Sequence, residues 1–265
     1  MAKEQNGWGI TRLSVVPVRK EPDHRSEQVT QLLFGDHYAI VQQSRDGDWL
    51  RIRIQFDNYE GWISDKQHHG ISQEYFQEIN KNEYRICTEL TSMAMYRKKP
   101  ILIVIGSILP VSDNEIFGPG EHFAYNGESK SLGQKRDSEF LNQTCLKFLN
   151  VPYLWGGKSP FGMDCSGFTQ MVFKISGYSL NRDSGDQVKQ GIEVKDFAKT
   201  RPGDLVFFMD GKDKVNHVGI ITDDRNTIIH CSGYVRIDEI DEKGIFNESS
   251  GKYTHKFFTA RRILK

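Results

Sequence analysis

Over roughly the first 130 positions, apolar and polar residues alternate in short runs, each cut off by turn-forming residues. Ser14–Val18, Val29–Phe34 and Tyr38–Gln42 read as strands, separated by the polar loop Glu21-Pro22-Asp23-His24-Arg25 and by Gly35-Asp36. In Trp49–Ile54 the alternation is complete. Leu50, Ile52 and Ile54 fall on one face and Arg51 and Arg53 on the other, which is the period of two that a half-buried strand shows. Turns at Arg45–Asp48 and Asp57-Asn58 frame that strand, and Tyr59–Ile63 follows as another. Closely spaced strands between turn signals predict a small barrel or sandwich. Gln67–Asn82 is polar and reads as a linker, with a helical turn around Tyr75–Ile79. The strand pattern returns at Met93–Tyr96, Ile101–Ile105 and Ile108–Val111, then gives way to turn residues through Gly118-Pro119-Gly120.

The period changes near residue 135. Phe140, Leu141, Thr144 or Cys145, Phe148 and Leu149 recur at helical spacing within Asp137–Asn150, which Asp137 or Ser138 suits as a cap. A second helix starts at Cys165, with Phe168, Met171, Val172 and Ile175 along one stripe. Asp164 stands where an N-cap belongs and Gly177 where a terminating glycine belongs. Ser184-Gly185-Asp186-Gln187 fits a capping box and predicts a third helix. Strands are expected at Leu205–Met209, His217–Thr222 and Thr227–Ser232. Helices followed by antiparallel strands are an α+β pattern. The chain of 265 residues therefore divides into two small β regions, 1–70 and 83–130, and an α+β region over 131–265.

Composition narrows the function classes. Thirty-five basic residues balance thirty-five acidic ones, which argues against nucleic acid or a polybasic membrane contact as the partner. The longest apolar stretch, Ile101–Val111, is broken by Gly106, Ser107 and Pro110 and falls far short of the roughly 20 residues that span a bilayer. Met1-Ala2-Lys3-Glu4-Gln5 has no charged-then-apolar leader pattern, and the four cysteines form no CxxC pair. The expectation is a reduced, cytoplasmic, monomeric protein; an exported chain trimmed of its leader would read the same way.

Cys165 is the first residue with candidate chemistry. At a helix start its thiolate meets the positive end of the helix dipole and unpaired N–H groups. If the His217 and His230 strands close on Asp223–Asn226, Thr222 pairs with Thr227 and Gly219 stands opposite His230. His217 and His230 then become diagonal neighbours on one face, about 7–8 Å apart at the backbone. One imidazole is placed as base for the thiol and the other as its orienter. Cys231, one position on, faces away into the core. A zinc site from Cys165, His217, His230 and Cys231 lacks the paired short spacings of metal ligation, so no metal or other cofactor is expected. Lys256, Arg261, Arg262 and Lys265 read as solvated surface.

Four ordered motifs carry a family resemblance. The run Val151-Pro152-Tyr153-Leu154-Trp155-Gly156-Gly157, continuing to Asp164-Cys165-Ser166-Gly167-Phe168, resembles the nucleophile motif of the NlpC-type peptidoglycan cysteine peptidases. Arg201-Pro202-Gly203-Asp204-Leu205, His217-Val218-Gly219-Ile220 and Ile229-His230-Cys231-Ser232-Gly233 resemble the motifs that follow it. Asp46–Leu50 with Tyr59-x-Gly61-Trp62-Ile63 resembles bacterial SH3-like domains, and residues 83–130 resemble a second, diverged one. The resemblance implies an α+β papain-like domain behind two SH3-like barrels. It makes Cys165 the nucleophile, His217 the general base and acid, and His230 the orienting third residue.

The domain combination is similar to the dipeptidyl-peptidase VI group, γ-D-glutamyl-L-diamino-acid endopeptidases acting on cell-wall peptides with a free L-Ala amine. That similarity implies Glu27, Tyr59, Asp164, Ser166, Asp183 and Ser184 as substrate-binding residues. Carboxylates suit an ammonium, while hydroxyl and N–H donors suit the α-carboxylate of D-Glu. Asp23 is an alternative to Glu27, Asp164 an ordinary N-cap, Asp183 and Ser184 an ordinary helix start, and Tyr59 and Trp62 ordinary barrel core. Lysine and diaminopimelate remain open for the leaving half. An amidase or acyltransferase on the same scaffold, or a wall-binding module without catalysis, are the competing functions.

Overall fold

The computed structural model describes residues 7–81, 84–109, 122–209, 214–222, 224 and 226–264. Of the expectations above, the Gly118-Pro119-Gly120 turn, the end of the strand at Val111, Asp223 and Arg225 of the hairpin turn, and Lys265 lie outside them. The chain forms two compact units, Met1–Gln134 with Trp155–Pro160, and Lys135–Leu154 with Phe161–Lys265. Among the described residues no helix is long and apolar enough to cross a membrane.

The N-terminal unit opens with β1 (Gly7–Ile10), β2 (Val15–Arg19), β3 (Gln28–Leu33), β4 (His37–Gln43), β5 (Trp49–Ile54), β6 (Glu60–Ser64) and β7 (Gly70–Ile71), in sheet order β3-β2-β6-β5-β4-β1-β7. β5 occupies the predicted residues, with Leu50, Ile52 and Ile54 buried and Arg51 and Arg53 exposed. These three pack with Val16, Val18, Leu32, Tyr38, Ile40 and Ile63, and Tyr59 lies partly buried against that core. Trp62 is buried as well. The β3–β4 turn needs glycine: Gly35 has φ +83°, and a Cβ there would lie 2.4 Å from the carbonyl oxygen of Ile108. The polar stretch expected as a linker contains β7 and a nine-residue helix, α1 (Gln73–Lys81), rather than a single helical turn.

β8 (Arg85–Cys87), β9 (Thr91–Tyr96), β10 (Lys99–Val104), β11 (Ile108–Leu109), β12 (Phe123–Ala124) and β13 (Ser129–Ser131) add two three-stranded sheets, β10-β9-β12 and β11-β8-β13. The Ile108 N–H donates to the Phe34 carbonyl at 2.8 Å, tying these sheets to the β3–β4 turn. The segment containing β14 (Lys158–Ser159) also packs in this unit. The Lys158 N–H donates to Gln31 Oε1 at 2.9 Å, and its ammonium reaches buried Asp36 at 3.5 Å.

The C-terminal unit begins with α2 (Ser138–Lys147). Its N-cap is Asp137, whose side chain accepts from the Phe140 N–H. After β15 (Gly162–Met163) comes α3 (Cys165–Ile175), in which every residue is buried. The helix expected at Ser184 is a single turn, α4 (Ser184–Gln187), and its N-cap position is Asp183, not Ser184. Gln187 makes no capping-box contact. It donates instead to the carbonyls of Ser166 and Asn181 and accepts from Thr169 Oγ1. Buried bonds to α3 outweigh a local cap here.

β16 (Ile192–Val194), β17 (Leu205–Met209), β18 (Val215–Ile221), β19 (Thr227–Ser232), β20 (Tyr234–Asp241), β21 (Gly244–Asn247) and β22 (Lys252–Arg262) form an antiparallel sheet in the order β16-β22-β17-β18-β19-β20-β21. β21 also pairs with β22, so β17 to β22 close a ring with β16 at its edge. Pattern reading did not anticipate β20, β21 or β22. The C-terminal arginines are not merely solvated: Arg262 is bonded to Asp204 at 2.7 and 2.9 Å, and Arg261 approaches Glu193.

Candidate active site

Asp164 starts α3 in extended geometry and accepts the Gly167 N–H at 2.7 Å. Its carbonyl takes the Phe168 N–H at 2.9 Å. Two of the first-turn donors are thus used, and the N–H groups of Cys165 and Ser166 remain at the sulfur end of the helix. Asp164 does more than cap. Arg182, with a fully buried side chain, binds both its oxygens at 2.9 and 2.7 Å and also donates to Ser166 Oγ at 2.9 Å. Asp164 and Ser166 therefore sit in a satisfied buried network directly beneath Cys165.

The two histidines arrive by strand register. Gly219 stands opposite His230 across β18 and β19, and the Thr222 N–H donates to the Thr227 carbonyl, the pairing expected from turn length. His217 Nε2 and His230 Nδ1 are 2.8 Å apart, with both rings buried. The Val218 backbone, one residue past His217, works to lower the pKa of the Cys165 thiol. Because Nε2 of His217 is engaged with His230, Nδ1 is the nitrogen left for the thiol. Cys231 is buried, and its thiol donates to the Met163 carbonyl at 3.1 Å, so it takes no part in this chain.

Electrostatics favour a neutral resting pair. Burial pushes the Cys165 thiol up to about 12 and the Asp164 carboxylate adds to the rise, against the Val218 N–H, the Arg182 charge and the Ser166 N–H. Burial, then His230 and His255, hold His217 well below the ordinary histidine value. A buried thiol beside a neutral imidazole attacks a carbonyl by giving up its proton as the S–C bond forms.

Three neighbours escaped the sequence reading. Asp238 Oδ2 lies 2.8 Å from His230 Nε2, and Arg236 binds its other oxygen at 2.5 Å. His255, on β22, stacks on His217 with ring centroids 4.2 Å apart, and burial followed by His230 lowers it to about 4. Asp238 was within reach of the reasoning that placed the histidines. His230 pairs directly with Arg236, and Asp238 is two residues on, the diagonal neighbour. That step required Tyr234–Asp241 to be read as a strand.

Of the other expected residues in this unit, Asp183 is exposed at the N-cap of α4 and Ser184 is its half-buried first residue. Glu27 and Tyr59 belong to the N-terminal unit. Glu27 Oε1 accepts the Trp155 indole N–H at 2.7 Å and its other oxygen meets Lys20 at 3.2 Å, bonds that lower its pKa. Asp23, the alternative to Glu27, caps its own loop by accepting the Arg25 N–H at 2.7 Å.

A buried cysteine at a helix start and a strand-borne pair of histidines, brought into one α+β unit, have the make-up of a cysteine hydrolase site. Comparison with known proteins agrees with that class and makes it specific. Residues 150–255 match the NlpC/P60 family and residues 18–67 match the bacterial dipeptidyl-peptidase SH3 domain. A γ-D-glutamyl-L-lysine dipeptidyl-peptidase of Bacillus subtilis is 31% identical over 212 residues, covering 72% of this chain and 68% of that one. Its namesake from Bacillus cereus is 30% identical over 284 residues, covering 97% and 81%. The crystal structure of an NlpC/P60 family protein from Bacillus cereus superposes with a TM-score of 0.82 at 23% identity, covering 97% of this chain and all of that one. The chain belongs to the NlpC/P60 family of peptidases and carries an SH3-like domain in its N-terminal half.

Proposed function

We propose that the protein is a cysteine endopeptidase that hydrolyses the γ-D-glutamyl-L-diamino-acid bond of peptidoglycan-derived peptides bearing a free N-terminal L-Ala. The observation that carries this reading is the Cys165–His217–His230 arrangement, in a chain related over most of its length to γ-D-glutamyl-L-lysine dipeptidyl-peptidases. Cys165 attacks the γ-carbonyl as its proton passes to Nδ1 of His217. The oxyanion that forms is met by first-turn N–H groups of α3, with Cys165 N–H the leading donor. His217 then protonates the departing amine, and the thioester is cleaved by water that the neutral imidazole activates. Glu27, with Tyr59, receives the free ammonium. Asp183 is a second carboxylate suited to the ammonium, Ser166 and Ser184 serve the α-carboxylate of D-Glu, and Asp164 acts through the position it gives Ser166.

The test uses L-Ala-γ-D-Glu-L-Lys and its N-acetylated form. Release of L-lysine from the free peptide and at least a tenfold lower kcat/KM for the acetylated one are expected. Cleavage of neither refutes the peptidase reading, and equal cleavage of both refutes the ammonium site. Substituting meso-diaminopimelate for lysine in the same assay sets the preference of the leaving half.

The electrostatics add a pH dependence. His217 must be neutral to take the thiol proton, and its pKa is depressed, so base function is present above the folded value and lost only as pH falls through it. The acid limb of kcat/KM should therefore have its midpoint below about 6.5, the ordinary histidine value. A midpoint at or above that value contradicts a neutral resting pair.

A further inference from the structure

We propose that Asp238 selects the tautomers of both histidines, and so makes Nδ1 of His217 the proton acceptor. It is a positioning residue that acts through His230 and never touches substrate. The inference rests on the reading of Cys165 and His217 given above and adds to it the group that determines which nitrogen does the work.

Asp238 lies in β20 with its side chain largely buried, and Arg236 donates to its Oδ1 at 2.5 Å. Burial works to raise this carboxyl, but the bonds and charges from His230 and Arg236 outweigh it and hold it below the ordinary value, so it is ionised. An ionised carboxylate only accepts. Oδ2, 2.8 Å from His230 Nε2, therefore requires a proton on Nε2. A neutral imidazole carries one proton, so Nδ1 of His230 is bare and must accept. Its partner at 2.8 Å is Nε2 of His217, which must then carry the proton of that ring. Nδ1 of His217 is left bare, the nitrogen that can take a proton.

The other charged or titratable neighbours do not supply this selection. His255 stacks on the face of His217 and meets His230 edge to face, rather than bonding in either ring plane. Arg236 is committed to Asp238. Without the carboxylate, His230 is free to hold its proton on Nδ1 and donate to His217 Nε2. The His217 proton then sits on Nδ1, the atom that has to receive one.

The Asp238→Asn and Asp238→Ala variants separate tautomer selection from mere support. In Asp238→Asn the amide oxygen is drawn to the Arg236 donor, so the amide NH2 faces His230 Nε2 and reverses the whole chain. Alanine only releases it. Asparagine, the closer isostere, should thus be the more damaging substitution, whereas a packing role makes alanine worse. For Asp238→Asn we expect kcat on L-Ala-γ-D-Glu-L-Lys to fall 10- to 100-fold with KM within twofold, and the rate of Cys165 alkylation by iodoacetamide to fall in parallel. The 15N resonances of His217 should move from the Nε2–H to the Nδ1–H pattern.

A wild-type protein with His217 protonated on Nδ1 overturns the proposal. So does an Asp238→Asn variant with wild-type alkylation rate and tautomers, or alanine more damaging than asparagine. If the wild type does not cleave the tripeptide, the substrate reading fails, while the tautomer and alkylation readouts still decide the role of Asp238.

Discussion

Replacing Cys165 with alanine is expected to lower kcat on L-Ala-γ-D-Glu-L-Lys by on the order of 10^4-fold or more, the size of loss that follows removal of a nucleophile. The melting temperature should stay within about 3 °C of wild type, because the change removes one small atom and less than about 1 kcal/mol of packing from the site. The cap on Asp164 and the His217–His230 bond are untouched. Cys87, Cys145 and Cys231 are also buried, and none stands at a helix N-terminus beside a histidine pair, so none can substitute. The variant also separates the competing functions. An amidase or acyltransferase on this scaffold loses its activity with the same thiol, whereas a wall-binding module has no turnover to lose and keeps its affinity.

The second large effect falls on stability. Arg182→Met retains most of the side-chain volume but leaves the buried Asp164 carboxylate without its guanidinium partner. Removing one partner of a buried ion pair typically costs about 3–5 kcal/mol, which for a unit of this size lowers the melting temperature by on the order of 10 °C. The donors to Asp164 include the Gly167 N–H, Ser166 Oγ and two guanidinium nitrogens of Arg182. The loss therefore spreads to the start of α3. Adding Asp164→Asn to Arg182→Met should recover part of the stability, since asparagine still caps the helix and no longer buries a charge. Urea denaturation of the three variants measures both effects. A loss under 1 kcal/mol in the single variant means that Arg182 is not what holds Asp164.

Much of the frame around this site is legible in the sequence. β5 and β19 begin and end where alternation placed them. The Gly219–His230 register followed from turn length alone, because a hairpin closed on four residues has little freedom to slip. Asp164 and Cys165 were legible because N-cap chemistry is local.

What escaped was determined over longer range. In β20, Arg236 and Asp238 face His230 from positions that sequence patterning counts as solvent, so a strand that completes the site looks like a charged loop. Arg261 and Arg262 look like a solvated tail until their carboxylates, 58 residues away in the case of Asp204, are seen beside them. The capping box at Ser184 lost to a non-local competitor, since Gln187 gains more from buried bonds to Ser166 and Thr169 and a part-buried one to Asn181 than from reaching back to its own helix start. Asp164, read as a substrate ligand, has both oxygens committed to Arg182, a partner 18 residues on that no motif pointed to.

During turnover Cys165 is expected to form a thioester with the γ-carbonyl of D-Glu. Intact-mass spectrometry of wild-type protein, acid-quenched during turnover of L-Ala-γ-D-Glu-L-Lys, tests it most directly. The expected result is an adduct with the mass of L-Ala-D-Glu less one water, located on the peptide containing Cys165 and absent from Cys165→Ala. Turnover with no adduct under any quench time, or an adduct that retains the lysine, would contradict it.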